Sequence, residues 1–480
     1  MSLRVIQHEI RILQLPTRMP FRYGIATMTE FPLLFLRLEV EIDGQRVSGV
    51  SSDLLPPKWF TKEPDKDPKL EIEEMLEVIL SAAVAVQKMR AESVFDLWRQ
   101  LYECQHAWGA QQALAPLLVH FGTSLVERAI IDAFCLVRGR SFAQLVQANE
   151  FAIDLGKVHA ELLGLEPGKL LPEVPLRRIV ARHTIGLGDP LTRAEVKESE
   201  RLDDGLPQAL SECIERYGLR HFKIKVCGQP EVDIPRLGRI LATLDESGVK
   251  DGQFSLDGNE QFSTLADLDA FWAELERQEW FKRFISGLLF VEQPLHREVA
   301  LSVGLGELSS PVLKQQQIII DESDADTRAL PRALSLGYQG TSHKNCKGVF
   351  KGIANRCLLE KRRRETGGDR LLMSGEDLCN QGPVGLQQDL AVMACLGIES
   401  VERNGHHYCQ GLAGLPRSIQ EQVLVRQADL YQRTAEGWPT LAVTQGELLL
   451  ESVNQSPFGV GFRLALDELP SLEDWRKTNA

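Results

Sequence analysis

Four short runs decide the fold: His221-Phe222-Lys223-Ile224-Lys225-Val226, Phe254-Ser255-Leu256-Asp257-Gly258-Asn259, Leu288-Leu289-Phe290-Val291-Glu292-Gln293-Pro294 and Ile318-Ile319-Ile320-Asp321-Glu322-Ser323. Each is apolar for a few residues and ends in a side chain fit for acid, base or hard-cation chemistry. One such run would mean little. Four in succession, spaced roughly 25–35 residues apart, carry the cadence of a barrel of alternating strands and helices, which takes about 250 residues for eight units.

Working outward, the same cadence continues on both sides. Arg178 to Thr184 is the candidate first barrel strand, Gly337 to Lys344 a polar sixth, Leu371 to Ser374 the seventh and Gly397 to Glu402 the eighth. Helices are expected at Arg193 to Tyr217, Val232 to Leu244, Leu265 to Phe281, Arg328 to Leu336 and Phe350 to Arg364. Upstream the pattern differs. Leu33 to Ile42 alternates and stops at the turn signal Asp43-Gly44, following Val5-Ile6 and Ile10 to Leu13. Between these strands, Leu15 to Phe21 reads as a Pro-containing loop, and Arg18 to Glu30 offers Arg22, Tyr23, Gly24, Met28 and Thr29. Leu70 to Leu80 and Ser124 to Phe134 have helical periodicity, the latter stopping near Gly139. Strands followed by helices describe an α+β unit. The expected class is therefore α/β: an α+β domain over residues 1–172, a (β/α) barrel of the TIM type over 173–432, and a C-terminal segment over 433–480.

The bulk composition excludes several function classes. The chain has 480 residues, with 54 Lys and Arg against 67 Asp and Glu, a formal charge of −13. That balance argues against a nucleic-acid-binding face or an anionic membrane partner. Nine scattered cysteines form no CxxC pair, which predicts free thiols and a cytoplasmic setting. The first residues lack an apolar signal core, and no apolar run approaches the roughly 20 residues of a membrane span.

The chemistry gathers at the strand ends. Side chains alternate along a strand, so Lys223 and Lys225 share a face. Asp257, Glu292 and Asp321 each stand where an apolar run gives way to a loop, which in a barrel is the active end. A helix cap or a loop carboxylate explains any one of them. It does not explain all three in order at barrel spacing. Three carboxylates from adjacent strands repel one another unless a cation lies between them, and an all-oxygen set suits Mg²⁺.

The order Lys223-x-Lys225, Asp257-x-Asn259, Val291-Glu292-Gln293-Pro294, Asp321-Glu322-Ser323 resembles the enolase superfamily, within it the muconate-lactonising-enzyme-like branch, over most of the chain. The resemblance implies that Asp257, Glu292 and Asp321 bind Mg²⁺, that Lys225 is a base, and that Lys223 helps to lower its pKa. It implies a second base at the end of the sixth strand, where Lys344 matches and Lys347 is the reserve. Residues 1–172 are similar to the α+β capping domain that this family sets on a modified (β/α) TIM-type barrel, Arg18 to Glu30 to its mobile substrate-covering loop, and Pro457 to Phe462 followed by Asp467 to a closing strand with which the segment 433–480 returns to the cap. Glu322 is expected to support the metal shell. The implied reaction is removal of the α-proton of a small-molecule carboxylate, as racemase, epimerase or cycloisomerase. Dehydration of an acid sugar is the alternative, and a non-catalytic metal-binding scaffold is the reading from another class. Self-association into a homo-oligomer is also implied.

Two departures qualify the resemblance. The mandelate-racemase-like branch uses a seventh-strand His with a sixth-strand Asp, whereas this chain has Met373-Ser374-Gly375-Glu376-Asp377 and Lys344, which favours two lysines. The eighth strand ends Glu402-Arg403-Asn404-Gly405-His406-His407, which matches no one specificity. His406 and His407 read as solvated loop histidines, and without spaced Cys or His partners they make no zinc motif.

Overall fold

The computed structural model describes residues 1–23, 25–368 and 370–479, the side chains of Tyr23 and Ala26 excepted. The chain opens with three antiparallel strands, β1 (Leu3–Tyr23), β2 (Ala26–Ile42) and β3 (Gln45–Leu54), with β2 in the middle. The alternation in β2 explains its place: Leu36, Leu38, Val40 and Ile42 are buried, while Arg37, Glu39 and Glu41 between them are partly exposed. The stretch Leu15 to Phe21, expected as a loop, is strand. β1 lies at the sheet edge, where Pro16 and Pro20 withhold no ladder donor that a neighbour needs, and the register shifts between Pro16 and Phe21. The expected covering loop is thus the far end of a long hairpin. Of its candidate contacts, Gly24 and the side chain of Tyr23 lie outside the described residues.

Helices α1 (Pro68–Val86), α2 (Val94–Gln111) and α3 (Pro116–Arg138) cover this sheet. α3 is buried along nearly its whole length, which requires close approach on two sides. A Cβ at Gly49 would lie 2.0 Å from the carbonyl oxygen of Ala129, and one at Gly122 would lie 2.2 Å from that of Val78. The charges on α3 are internally matched: Arg128 meets Asp53 at 2.6 Å, and Asp132 accepts the N–H of Val50 at 2.9 Å.

Eight parallel strands follow: β4 (Arg178–Ile185), β5 (His221–Lys225), β6 (Gln253–Asp257), β7 (Leu288–Glu292), β8 (Ile318–Ile319), β9 (Gly340–His343), β10 (Leu372–Gly375) and β11 (Ser400–Arg403). They run in the order β8-β7-β6-β5-β4-β11-β10-β9. Ile320 closes the ring: its N–H donates to Gly340 at 3.2 Å and its carbonyl accepts from Ser342 at 2.9 Å. The expected helix from Arg193 to Tyr217 forms only over Leu210–Tyr217, because Gly205 in a left-handed conformation and Pro207 interrupt what precedes it. The helix expected from Leu265 to Phe281 ends at Glu276.

The chain end returns to the opening sheet. The helix Leu472–Asn479 lies on β1, where the Trp475 indole donates to Gln14 at 3.1 Å and the Ile12 N–H donates to the Pro470 carbonyl at 3.1 Å. Pro457 to Phe462 is not the expected strand but a set of turns, with Gly459 at φ 81°. It still reaches back, since Phe458 packs on Phe142 with ring centroids 4.9 Å apart. All nine cysteines are free. Among the described residues no helix is long and apolar enough to cross a membrane.

Candidate active site

Parallel register sets the site. Lys225 lies opposite Asp257 and Asp257 opposite Glu292, so three charged side chains stand in one tier at the strand ends. Asp321 follows β8 after the bridging residue Ile320, and Lys344 follows β9 directly. All of them, with Lys223, are buried.

Lys223 is the hub. Its Nζ is within 3.1 Å of four carboxylates: Asp257 at 3.0 Å, Glu292 at 2.8 Å, Glu376 at 2.6 Å and Glu402 at 3.1 Å. Lys225 Nζ donates to Asp257 Oδ2 at 2.6 Å. Across the barrel, Asp321 meets Lys344 at 2.5 Å and Lys347 at 2.7 Å, and accepts from the Ser342 hydroxyl. Lys347 also donates to the Asp321 carbonyl, whereas Lys344 lines the central cavity. The two lysines thus divide: Lys347 braces Asp321 and Lys344 faces the space.

Gln293 fixes the loop that carries Asp321. Its Oε1 accepts the N–H groups of Asp321 at 2.7 Å and Ser323 at 3.2 Å, and its Nε2 donates to Leu295 O and to Ser323 Oγ, both at 2.8 Å. Glu322 accepts from Asn259 at 3.3 Å, and burial lifts its carboxyl to about 7.

The electrostatics follow from crowding in a dry space. Burial, with Asp257 and Glu376 adding like charge, pushes Glu292 well above the usual carboxylate range. Burial works the same way on Asp257, but Lys223 and Lys225 overcome it and hold that group low. Lys344 and Lys347 do so for Asp321. Burial opposes the charge on Lys344, yet Asp321 outweighs it, so this ammonium is held above its ordinary value.

The acids fit a hard divalent cation by donor chemistry. They are buried oxygens from three adjacent strands, and one of them, Glu292 Oε2, is met by the Lys223 ammonium at 2.8 Å without hydrogen-bonding geometry. Their oxygens are spread around ammonium groups rather than gathered: among the described residues, the only three His, Cys, Asp or Glu side chains with ligand atoms all within 4.8 Å are His183, Cys213 and His407.

Several participants went unread in the sequence. Glu376 and Glu402 end β10 and β11 as acids after apolar runs, the same signal that marked Asp257 and Glu292. Arg182, inside β4, pairs with Glu376 and crosses to the carbonyls of Gly375 and Ser400, each at 3.0 Å. Thr184 donates to Glu402 at 2.7 Å. From the opening unit, Trp59 covers Lys344, whose Nζ is 4.7 Å from the ring centroid. Arg297 binds the carbonyls of Trp59 and Phe60 at 2.9 and 2.8 Å, which seats this loop on the barrel. The roof is completed by Phe21, Met28 and Pro56, leaving a cavity of about 40 Å³. His406 and His407 are not solvated. Both are buried, in the turn Gly405–Tyr408, and burial holds both imidazoles well below their usual value.

No protein-family model and no curated protein matches the sequence. Solved structures do. A mandelate racemase/muconate lactonizing protein from Herpetosiphon aurantiacus is 14% identical, with 96% of this chain and 99% of that one covered and a TM-score of 0.60. A muconate lactonizing enzyme from Mycobacterium smegmatis, complexed with muconolactone, is 18% identical over 97% and 98%, at 0.56. A dipeptide epimerase from Enterococcus faecalis, complexed with Mg and the dipeptide L-Leu-L-Tyr, is 14% identical over 85% and 92%, at 0.55. At these identities the likeness is one of architecture: the chain has the fold of enolase-superfamily structures, a barrel with an antiparallel-sheet cap.

Proposed function

We propose that the protein is a Mg²⁺-dependent enzyme that removes the proton α to the carboxylate of a small molecule and returns one, as a racemase, epimerase or cycloisomerase. One observation carries the reading. Lys225 on β5 and Lys344 after β9 stand four strands apart in a ring of eight, on opposite sides of one cavity, with carboxylates between them. Two amines facing each other can address both faces of a planar carbon, and a lone catalytic lysine cannot.

Asp257, Glu292 and Asp321 would hold the Mg²⁺. When bound, the ion supplies Lewis-acid stabilisation of the charge that builds on the substrate carboxylate. The chain's own residues do the rest. Lys225 Nζ takes the α-proton as its base form. Lys344, held charged by Asp321, is the acid on the far face and delivers a proton from Nζ. Lys223 stays charged among its four carboxylates and keeps Asp257 and Glu292 aligned. Trp59, Phe21 and Met28 exclude water above them.

Dehydration of a hydroxy acid remains a second reading because of Asp377. It lines the same cavity, and burial lifts its carboxyl to about 7, so it can stay protonated and release hydroxide as water. The test is exchange in deuterium oxide with Mg²⁺, over acid sugars, dipeptides and N-acyl amino acids. Deuterium at the α-carbon without a keto product supports racemisation or epimerisation. A 2-keto acid supports dehydration, which Asp377→Asn should abolish. Lys225→Ala should remove all exchange while leaving the fold intact. Exchange at the wild-type rate in that variant overturns the assignment of the base.

A further inference from the structure

We propose that His183, Cys213 and His407 form a second metal site, outside the central cavity, that takes a borderline transition ion, zinc before all others. The side chains come from three elements. His183 lies on β4 between Arg182 and Thr184, whose side chains reach into the barrel toward Glu376 and Glu402. Alternation along the strand therefore turns His183 outward, to the helical layer. There it meets Cys213 of the helix Leu210–Tyr217 and His407 of the turn Gly405–Tyr408. None of the three is more than 2% exposed.

The geometry is that of a ligand set. The ligand atoms all lie within 4.8 Å of one another. Cys213 Sγ and His407 Nδ1 are 3.6 Å apart. Sulfur and nitrogen on one tetrahedral zinc, with bonds near 2.3 and 2.0–2.1 Å, are separated by roughly 3.5 Å. Metal-binding histidines give their other ring nitrogen to a neighbour that orients the ring. His183 has such a neighbour, its Nδ1 lying 3.1 Å from His406 Nε2. His406 Nδ1 is itself buried without a hydrogen-bond partner, a polar atom that the protein alone leaves unanswered. One thiolate and two imidazoles discriminate against Mg²⁺ and Ca²⁺, which prefer oxygen, and suit zinc. The central acids have the opposite preference, so the two sites differ in metal as well as in place. On binding, a Zn–S bond replaces the Cys213 S–H bond and the proton leaves to solvent.

The site would brace the platform on which the hairpin rests. It joins β4, the helix after it and the turn after β11. That turn follows Glu402 and Asn404, which line the cavity, and its His407 carbonyl accepts Arg18 of the hairpin at 2.6 Å.

The test uses the full chain, purified under reductant, stripped with chelator and titrated with Co²⁺ in the presence of excess Mg²⁺. The expected result is a thiolate-to-cobalt charge-transfer band that saturates at one equivalent and is lost when Zn²⁺ is added. Cys213→Ser should lose the band, and His407→Gln should weaken Co²⁺ binding at least tenfold. Asp257→Asn and Cys379→Ser should leave both unchanged. Absence of the band in the wild-type chain overturns the proposal without reference to any variant. So does a band that survives Cys213→Ser, since another thiol is then the ligand.

Discussion

Replacing Lys223 with Met tests the charge arrangement at its centre. The side chain keeps an unbranched apolar stem but loses the ammonium that lies within 3.1 Å of Asp257, Glu292, Glu376 and Glu402. Four buried carboxylates then share Arg182 and Lys225. Removing one partner of a buried ion pair costs about 3–5 kcal/mol because the remaining charge is stranded. A chain of 480 residues unfolds with an entropy of about 1 kcal/mol/K, so the variant should melt about 3–5 °C lower without added metal. Mg²⁺ should partly restore it. Stabilisation by a ligand at 100 times its Kd is about 2.7 kcal/mol. Without the competing ammonium the ion should bind the variant at least tenfold more tightly than wild type, a difference of about 1.4 kcal/mol. Thermal unfolding across a Mg²⁺ series reads both quantities. A variant that melts with wild type removes Lys223 from its role as counter-charge. If Mg²⁺ shifts neither protein, the carboxylates are not a cation site.

Further outcomes follow from individual contacts. Trp59→Ala removes the ring over Lys344 and empties a buried site, a loss of about 3–5 kcal/mol, and should both slow exchange and lower the melting temperature, checked by turnover and melting together. Gln293→Leu leaves the Asp321 and Ser323 N–H groups unanswered at about 1–3 kcal/mol, and calorimetry should show weaker Mg²⁺ binding. Glu127 accepts the N–H groups of Val349 and Phe350, and burial lifts it from 4.5 to about 7. The folded protein therefore keeps a proton that the unfolded chain releases, so its stability falls as pH rises through that window. Denaturant titrations should show a shallower fall for Glu127→Gln.

How much of this was legible depends on the kind of contact. The strand ends at Lys225, Asp257, Glu292 and Asp321 could be read because barrel strands are short, apolar and regularly spaced, and chemistry sits at their C-terminal ends. The same logic covered Glu376 and Glu402, but β10 and β11 are brief and Ser374, Gly375 and Ser400 dilute their apolar signal. Arg182 was hidden for a different reason. A buried arginine within a strand has no local pattern, since its partner is supplied by a strand almost two hundred residues away. His406 and His407 read as surface because polarity in a loop usually means water. Their burial is set by His183 and Cys213, which sequence spacing does not bring near them. The edge prolines of β1 misled likewise, because edge position is a property of the assembled sheet.

The small cavity ties these pieces to function. At about 40 Å³ the space is narrow, so whatever occupies it lies directly against Phe21, Met28, Pro56 and Trp59. The roof is held at two places. Arg18 on the hairpin grips Asp204 through two nitrogens, at 2.5 and 2.9 Å, and the His407 carbonyl at 2.6 Å. The loop bearing Trp59 is held by Arg297 and by Lys62, whose ammonium donates to the Asn259 carbonyl at 2.6 Å. Both clasps end on segments that also carry cavity residues: His407 follows Asn404, and Asn259 itself lines the space. Movement of the roof would therefore loosen the groups that would grip substrate, and its return would re-form them around whatever has entered. Such coupling puts binding energy into assembling the site, the physical basis on which a covering element can govern specificity as well as access.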